Sequence, residues 1–318
     1  MYVRFWGTRG SLPASVTARQ IREKISRAIR SFRSHNLAAD EEIEAFIDRD
    51  LPFAVRGGYG GNTSCVEIGG GEDCVLCDAG TGIRDFGDAF MHSEKGRSPA
   101  VFHLFLSHLH WDHIQGFPFF APAFLPGEKI HIYGGHADIG QAFDRQQAPP
   151  FFPVPFRGLG AMIDFHTLDP ERPHRIAGFT VHVFSQNHPG GSYGYSFVRE
   201  GKKIVYSTDM EHTTEAVEEK YPFVDHFRDA DLLIFDAQYP LADAIGPKET
   251  WGHSSNLLAV ELAVRAGVKR LCLFHSEPTW GDEALDRFLA ETRDYLKIQA
   301  PSSPLRVDLA YDGLEIAL

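Results

Sequence analysis

Short apolar runs separated by polar or glycine-containing turns recur along most of this chain. Their length and period match buried or half-buried strands. We predict strands near 2–6, 64–69, 73–77, 101–106, 129–133, 178–184, 193–199, 202–206, 231–235, 270–274 and 305–310. Apolar residues at helical spacing predict helices over 137–146, 213–220, 254–266 and 282–297. Strands that come first, with helices between the later ones, predict an α/β fold of sheets covered by helices on their outer faces.

The segment from about residue 15 to 55 differs from its surroundings. Thr17 and Gln20 form a capping-box pattern before a first amphipathic helix, and a second helix begins near Asp40. The first helix has a net charge of +5 and the second of −5. We predict an inserted antiparallel hairpin of helices with complementary charges. Two solvated faces without pairing are the alternative, and the basic helix could also cover an active site or a partner subunit.

Composition favours one globular domain over residues 1–318 that carries this insertion, because no linker or repeat divides the chain. Net charge is −12, which argues against a nucleic-acid or membrane-surface binder. The chain shows neither an apolar leader nor a run long enough for a membrane span, so we expect a cytoplasmic protein. The four cysteines are expected to be small buried residues of a reduced protein: Cys65, Cys74, Cys77 and Cys272.

Candidate chemistry is concentrated in the segment His108-Leu109-His110-Trp111-Asp112-His113. Three imidazoles and a carboxylate lie in this one loop, directly after the strand predicted over 101–106. Imidazole and carboxylate are ligands that zinc and its neighbours accept. The loop therefore predicts a metal site. His103 and His131, which lie inside strands, are expected to be packed or solvated rather than ligands.

The same arrangement recurs at four later positions, where an apolar strand ends in a histidine or an aspartate. These residues are His188, Asp209, Asp236 and His275. Strand ends that face one crevice are where a sheet protein builds its site. One such strand end would carry little information, but the set indicates a shared centre.

These motifs resemble the metallo-β-lactamase superfamily, whose fold is an αββα sandwich with a dinuclear metal site along one edge. The match runs through Asp78, the loop His108–His113, His188, Asp209 and His275. The closer resemblance is to the ribonuclease Z and phosphodiesterase branch, including its bacterial and phage cyclic-nucleotide phosphodiesterase-like members. That branch adds a His-Ser-Ser loop and an acidic residue, matched here by His253-Ser254-Ser255 and by Asp236.

The resemblance implies two divalent metal ions, with Zn²⁺ expected and Mn²⁺ or Fe²⁺ also acceptable. Metal 1 would take His108, His110 and His188; metal 2 would take Asp112, His113 and His275; Asp209 would bridge them. A hydroxide between the metals would be the nucleophile, and Asp112 would hold or accept the proton of the water. His253, assisted by Asp236, would protonate the leaving oxygen or stabilise the phosphoryl oxyanion. Alternatively, His253 replaces His275 as the ligand.

The implied activity is hydrolysis of a small anionic phosphodiester, with a cyclic nucleotide favoured. Ribonuclease Z carries a tRNA-gripping arm between the residues that correspond to His188 and Asp209, and here these are only 21 positions apart. We therefore expect no nucleic-acid partner, although ribonuclease Z-like tRNA processing and hydrolysis of an ester, thioester or lactone remain alternatives. An aromatic zone over 149–156, with phenylalanines from 117 to 124, suggests core packing, a homodimer interface or a platform for a nucleobase.

Overall fold

Fourteen strands form two sheets in the part of the chain that the computed structural model describes, residues 1–33, 35, 39–212, 214–218 and 220–318. The strands are β1 (Tyr2–Gly7), β2 (Cys65–Gly69), β3 (Cys74–Cys77), β4 (Val101–Phe105), β5 (Lys129–Gly134), β6 (Met162–Thr167), β7 (His174–Ile176), β8 (Phe179–Gln186), β9 (Ser192–Arg199), β10 (Lys202–Ser207), β11 (Leu232–Asp236), β12 (Arg270–Phe274), β13 (Arg306–Leu309) and β14 (Glu315–Ala317). The first sheet has the order β14-β1-β2-β3-β4-β5-β6 and the second β13-β12-β11-β10-β9-β8-β7.

The described α-helices lie between strands in both halves of the chain, six before β6 and four between β10 and β13. They are α1 (Ala18–Phe32), α2 (Asp40–Asp50), α3 (Phe53–Arg56), α4 (Gly82–Met91), α5 (Trp111–Ile114), α6 (Ile139–Gln146), α7 (Pro222–Phe227), α8 (Leu241–Ala244), α9 (Asn256–Arg265) and α10 (Asp282–Gln299). Among the residues described, no helix is both long and apolar enough to cross a membrane.

Both sheets bury one face against each other. One apolar cluster contains Phe105 from the first sheet together with Phe197 and Phe274 from the second. Two further clusters cover the outer faces, one beneath α4 and α6 and the other beneath α7, α9 and α10. Each fully buried phenylalanine contributes roughly 1.5–3 kcal/mol of transfer free energy. This layering confirms the αββα sandwich.

Parallel pairing brings the ends of the functional strands to one edge of each sheet. In the first sheet β3, β4, β5 and β6 run parallel, and in the second β10, β11, β12 and β13 do. Because parallel neighbours end at the same edge, residues that follow them in sequence are close in space. The register is specific, since a slip by one residue would turn buried side chains to the opposite face.

Most predicted strands coincide with observed strands to within two residues, but β6, β7 and β14 are absent from the prediction. β7 and β14 have only three residues each, and β6 alternates polar with apolar positions at a sheet edge. The helix predicted over 213–220 is wrong in the described part: a 3-10 turn covers Thr214–Val217, and α7 begins at Pro222. Proline is favoured in the first turn of a helix, which explains that start. Positions 213 and 219 lie outside the described residues.

The predicted helices near the N-terminus are present as α1 and α2. Thr17 and Gln20 form the expected capping box, and Phe32 packs edge-on against Phe46 at 5.8 Å between ring centroids. Charge pairing differs from the prediction, because Lys24 and Arg27 form their ion pairs with the acidic first turn of α10 at Asp282 and Glu283 rather than with α2. A helix N-terminus favours acidic residues, so this turn presents carboxylates to α1.

The cysteines behave as predicted. Cys65, Cys74, Cys77 and Cys272 are all buried and free. Burial raises the pKa of Cys74 to about 11, so this thiol stays protonated at neutral pH. The Cys74-x-x-Cys77 pair lies in β3 as part of the core.

Candidate metal centre

The loop after β4 leads into a very short helix that carries candidate ligand side chains. His110 is the N-cap of α5, and Asp112 and His113 lie buried on that helix. His108 is buried just before it, whereas Trp111 is 81% exposed. His110 and Trp111, at the start of the helical turn, are thus exposed, whereas Asp112 and His113 face the protein interior.

Two groups of potential ligand atoms meet at the shared edge of the sheets. Within each group the atoms lie within 4.8 Å of one another. The first group is His108, His110 and His188, and the second is Asp112, His113, Asp209 and His275. These are the two sets that the sequence predicted, so the structure brings together all seven residues.

Asp209 belongs to the second group and also faces two histidines of the first. Its Oδ2 is 3.3 Å from His113 Nε2, 3.6 Å from His108 Nε2 and 3.9 Å from His188 Nε2. A carboxylate at this position can contribute an oxygen to either group. The geometry is therefore compatible with the predicted bridging position.

His108 offers a direct test of whether these residues suit a cation. Its Nε2 is buried and has no hydrogen-bond partner, although leaving a buried polar atom unsatisfied costs about 1–3 kcal/mol. Burial, together with nearby His113, holds the pKa of His108 well below its usual range. A neutral imidazole with a free lone pair is the form that binds a metal. This donor set of imidazoles and carboxylates fits divalent cations.

Partners behind the ligands fix their orientation. His113 Nδ1 donates to Asp78 Oδ2 at 2.8 Å, His188 Nδ1 donates to the Gly252 carbonyl at 2.8 Å, and His275 Nδ1 donates to Gln238 Oε1 at 3.1 Å. Each bond leaves the other ring nitrogen for a ligand role, because a neutral imidazole has one donor and one acceptor nitrogen. Sequence reasoning assigned no function to Gln238 or Gly252.

Asp78 is the most highly connected of these partners. Besides His113, it accepts hydrogen bonds from the Ser107 amide and hydroxyl, each at 2.7 Å, and from the Tyr206 hydroxyl at 2.7 Å. Asp78 follows β3 directly, just as the other candidate site residues follow their strands. This position is the sequence signal that could have revealed its role.

Left-handed backbone conformations coincide with these strand ends. Asp78 has φ 62°, Asp209 has φ 50° and His275 has φ 62°. Non-glycine residues rarely adopt positive φ, and such strain persists only where surrounding structure compensates for it. Gly252 also has positive φ, and a Cβ there would lie 2.3 Å from His188 Nδ1. Close packing of the Gly252 backbone against a ligand ring therefore requires glycine.

His253 and Asp236 form a hydrogen-bonded pair beside the second group. His253 Nδ1 lies 2.9 Å from Asp236 Oδ2, and its ring stacks on His275 at 5.0 Å between centroids. Burial alone would lower the pKa of His253, but the charge and hydrogen bond of Asp236 outweigh it and raise that pKa to about 9. Ser255 caps α9 immediately afterwards.

Asp112 and His253 could each act either as a metal ligand or in proton transfer. Asp112 Oδ2 accepts from the Ser11 amide at 2.8 Å and lies 3.1 Å from His275 Nε2. His253 also lies within ligand distance of His188 and Asp209. The geometry thus keeps open the alternative that His253 is a ligand.

Exposed aromatic side chains occur close in sequence to the ligands. Trp111 separates His110 from Asp112, and Trp251, which is 57% exposed, lies two residues before His253. In the predicted aromatic zone, Phe117 and Phe120 belong to the core. Phe119, Phe124 and Phe151 are exposed. Core packing therefore accounts for only part of that zone.

Comparisons with known proteins agree with the fold. Residues 74–276 match the family described as "Beta-lactamase superfamily domain". A ribonuclease Z from Haloarcula marismortui is 25% identical over 302 residues, which cover 80% of this chain and 90% of that protein.

Solved structures show the same architecture. The metallo-β-lactamase fold protein YhfI from Bacillus subtilis aligns with a TM-score of 0.63 and 19% identity over 99% of this chain and 98% of that one. A diphosphatase from the PhnP family aligns with a TM-score of 0.61 and 17% identity over 100% and 97%. The chain belongs to the metallo-β-lactamase superfamily, in its ribonuclease Z and phosphodiesterase-like branch.

Proposed function

We propose that this protein is a dinuclear metal-dependent phosphodiesterase that hydrolyses a small phosphodiester, with a cyclic nucleotide as its substrate. The observation that carries the proposal is the His253–Asp236 pair, bonded at 2.9 Å beside a cluster of seven ligand residues. The cluster alone would suit many hydrolases. A histidine that is hydrogen-bonded to an aspartate next to it suits a reaction in which an oxygen leaves with negative charge.

In this proposal the two groups each hold one divalent cation. His108, His110 and His188 would hold the first, Asp112, His113 and His275 the second, and Asp209 would contribute to both. When bound, these cations would lower the pKa of water to about 7, supply the hydroxide nucleophile and stabilise negative charge on the phosphoryl group. Zn²⁺ is the proposed metal, and Mn²⁺ or Fe²⁺ would also suit imidazole and carboxylate ligands.

Side chains of the protein would move the protons. Asp112 is held by the Ser11 amide at 2.8 Å and would accept the proton of the attacking water. His253 would donate its proton from Nε2 to the leaving oxygen, because Nδ1 is engaged by Asp236. Asp236 is itself held by the Met210 and Gln238 amides, so the pair is positioned before substrate binds. Preorganised groups of this kind stabilise developing charge without further rearrangement.

Several features favour a small substrate. Between His188 and Asp209 the chain forms only β9 and β10. This segment, where ribonuclease Z carries its arm, is therefore too short to contain an arm as well as the two strands. A net charge of −12 disfavours RNA, whose affinity depends on neutralising many phosphates. Trp111 and Trp251 present exposed indole rings near the ligand residues in sequence, and such rings can stack on a base.

Ribonuclease Z-like cleavage of tRNA is the second candidate. Its support is the identity with the Haloarcula marismortui protein along most of both chains. The basic helix α1 is the surface that would then be expected to contact RNA. An ester, thioester or lactone substrate on the same scaffold is disfavoured, because the His253–Asp236 pair belongs to the phosphodiesterase branch.

A substrate panel tests the proposal. Purified protein loaded with Zn²⁺ or Mn²⁺ is assayed with bis-p-nitrophenyl phosphate, cyclic mononucleotides, precursor tRNA, an aryl ester and a thioester. We expect turnover of the first two classes and none of the others. Cleavage of precursor tRNA alone would support the second candidate, and cleavage of only the carbon esters would overturn both. His92→Gln, which alters an exposed histidine on a remote helix end, is the matched control.

Assembly and location stay predictions. Homodimer formation is checked by light scattering of the purified chain. The single-domain organisation is checked by whether thermal unfolding is one cooperative transition.

A further inference from the structure

A second group of histidines lies on strands of the first sheet, away from the strand ends that form the metal centre. His131 is on β5, and Asp164 and His166 are on β6. In the parallel register His131 is opposite Asp164, and Tyr133 is opposite His166. Residues two apart on a strand share a face, so all three potential ligands lie on one face of the sheet.

The nitrogens of the two histidines are at the separation expected for ligands of one metal. His131 Nδ1 is 3.1 Å from His166 Nε2. Two zinc–nitrogen bonds of about 2.0–2.1 Å in a tetrahedron place their nitrogens roughly 3.3 Å apart. Nitrogen–nitrogen distances between histidines of the candidate metal centre are similar. His113 Nε2 lies 3.2 Å from His275 Nε2, and His110 Nδ1 lies 3.2 Å from His188 Nε2.

A carboxylate stands next to this pair. Asp164 Oδ2 is 3.7 Å from His131 Nδ1, and the Asp164 side chain is 53% exposed. The three residues do not yet form a group whose ligand atoms all lie within 4.8 Å of one another, so the site requires rotation of the exposed Asp164 side chain. The remaining coordination positions would face solvent and take water. Two imidazoles and one carboxylate form a common ligand set for zinc.

Neighbouring rings limit the freedom of both imidazoles. His103 stacks on His131 with 5.4 Å between ring centroids, and Tyr133 stacks on His166 at 4.8 Å. His103 is bonded to the Tyr133 hydroxyl and to Asp73. Burial, with His131 nearby, lowers the pKa of His166, so that imidazole is neutral at physiological pH and available as a ligand.

We propose that His131, Asp164 and His166 form a third metal site that binds a divalent transition-metal ion such as Zn²⁺ and joins β6 to β5. β6 is one of the two edge strands of the first sheet. Edge strands have one unpaired side and are weakly held. A metal between the two strands would stabilise the edge and the long connection over 135–161 that leads into it. The observed packing of His131 against His103 and His166 agrees with the expectation from the sequence, and the proposal adds a ligand role to it.

Metal stoichiometry tests the proposal. The protein is dialysed against about 10 µM free Zn²⁺ in 150 mM salt, and bound metal is measured by mass spectrometry. Wild type is expected to bind three ions per chain, His166→Gln two, and the control His92→Gln three. Wild-type binding of only two ions, or equal binding by His166→Gln and wild type, would overturn the site.

A second variant distinguishes loss of the metal site from loss of folding. Asp164→Asn changes an exposed side chain, and we expect it to weaken binding of the third ion at least tenfold, with phosphodiesterase activity unchanged. In thermal melts, added Zn²⁺ is expected to raise the Tm of wild type more than that of Asp164→Asn, because a ligand of the folded state stabilises it. Equal Zn²⁺-dependent shifts would count against a metal at this edge.

Discussion

The two sheets contribute to the candidate metal centre in contrasting ways. The first sheet supplies four candidate ligands from one loop of six residues after β4, namely His108, His110, Asp112 and His113. The second sheet supplies residues singly, at the ends of separate strands. They are His188 after β8, Asp209 after β10, Asp236 at the end of β11 and His275 after β12.

This difference determines what each half depends on. The residues of the loop are close together because they lie within six positions of the chain, although Asp112 and His113 also form hydrogen bonds with Ser11 and Asp78 outside it. The second half is assembled only when β10, β11 and β12 pair in register. Asp209 and His275 also adopt left-handed backbone conformations that the surrounding fold must hold. Correct placement of the site residues in the second half therefore depends more strongly on the folding of the whole sheet.

Asp209→Asn should remove the carboxylate that faces both ligand groups. Of all the variants, we expect it to cause the largest loss of bound metal and activity. Asp209 faces histidines of both ligand groups, so the variant should lose bound metal from both. The fall in kcat/KM should exceed the roughly 10–100-fold typical of removing a partner behind a ligand. Metal content and turnover of bis-p-nitrophenyl phosphate provide the measurement, with exposed Asp88→Asn as control. Retention of two metals and near-wild-type turnover would refute the bridging position.

His253→Ala should separate the chemistry of the second half from its metal binding. We expect kcat to fall about 10²–10⁴-fold for a cyclic nucleotide, whose leaving oxygen needs a proton. The loss should be much smaller for bis-p-nitrophenyl phosphate, since p-nitrophenolate leaves without protonation. Metal content should not change. Loss of one metal would instead identify His253 as a ligand, and equal losses on both substrates would exclude its role as an acid.

Asp78→Asn should show how far the first half relies on a partner outside its loop. Asp78 accepts bonds from His113, Ser107 and Tyr206, and an amide has only one acceptor oxygen for them. We expect metal affinity to fall roughly 10–100-fold, measured by competition with a chelator. Unchanged affinity would mean that the loop orients His113 without help.

Asp312→Asn should have the smallest effect of these variants, and the effect should be on the stability of the fold. Asp312 lies where the chain passes from the second sheet back to the first. Burial outweighs the hydrogen bonds from Gly61, Asn62 and Thr8 and raises the pKa of Asp312 from 3.8 to about 6. A carboxyl group with a raised pKa stabilises the folded state most at low pH, and that contribution is lost as pH rises from about 4 to 6.

Urea unfolding at several pH values measures this effect. The stability of wild type relative to Asp312→Asn should fall between pH 4 and 7 by up to about 3 kcal/mol, since one pKa unit corresponds to about 1.4 kcal/mol. A difference that is independent of pH, or that rises with pH, would contradict the raised pKa.

Much of the fold and of the ligand set could be predicted because the relevant signals are local. An apolar strand followed at once by His188 or His275 can be recognised in the sequence, and so can the loop from His108 to His113. Capping by Thr17 and Ser255 was predictable for the same reason. Family resemblance then supplied the arrangement of strands that periodicity cannot specify.

Long-range contacts account for what was missed. Gln238 and the carbonyl of Gly252 orient ligand histidines, but nothing in their own sequence neighbourhood shows which ring they will face. Lys24 pairs with Asp282, more than 250 positions away, although an oppositely charged helix follows directly. The short edge strands β7 and β14 exist because a neighbouring strand pairs with them, and their composition hardly indicates it.

The exposed indole of Trp111 gives this protein a built-in optical reporter. It lies between two ligand residues and is 81% exposed, so its emission should be that of a solvated tryptophan. A flat ligand that covered the ring would shift the emission to shorter wavelength, and Co²⁺ bound beside it would quench the signal. Comparison with Trp111→Phe would separate this fluorescence from that of the three other tryptophans, so that occupancy of the centre could be followed in real time without a label.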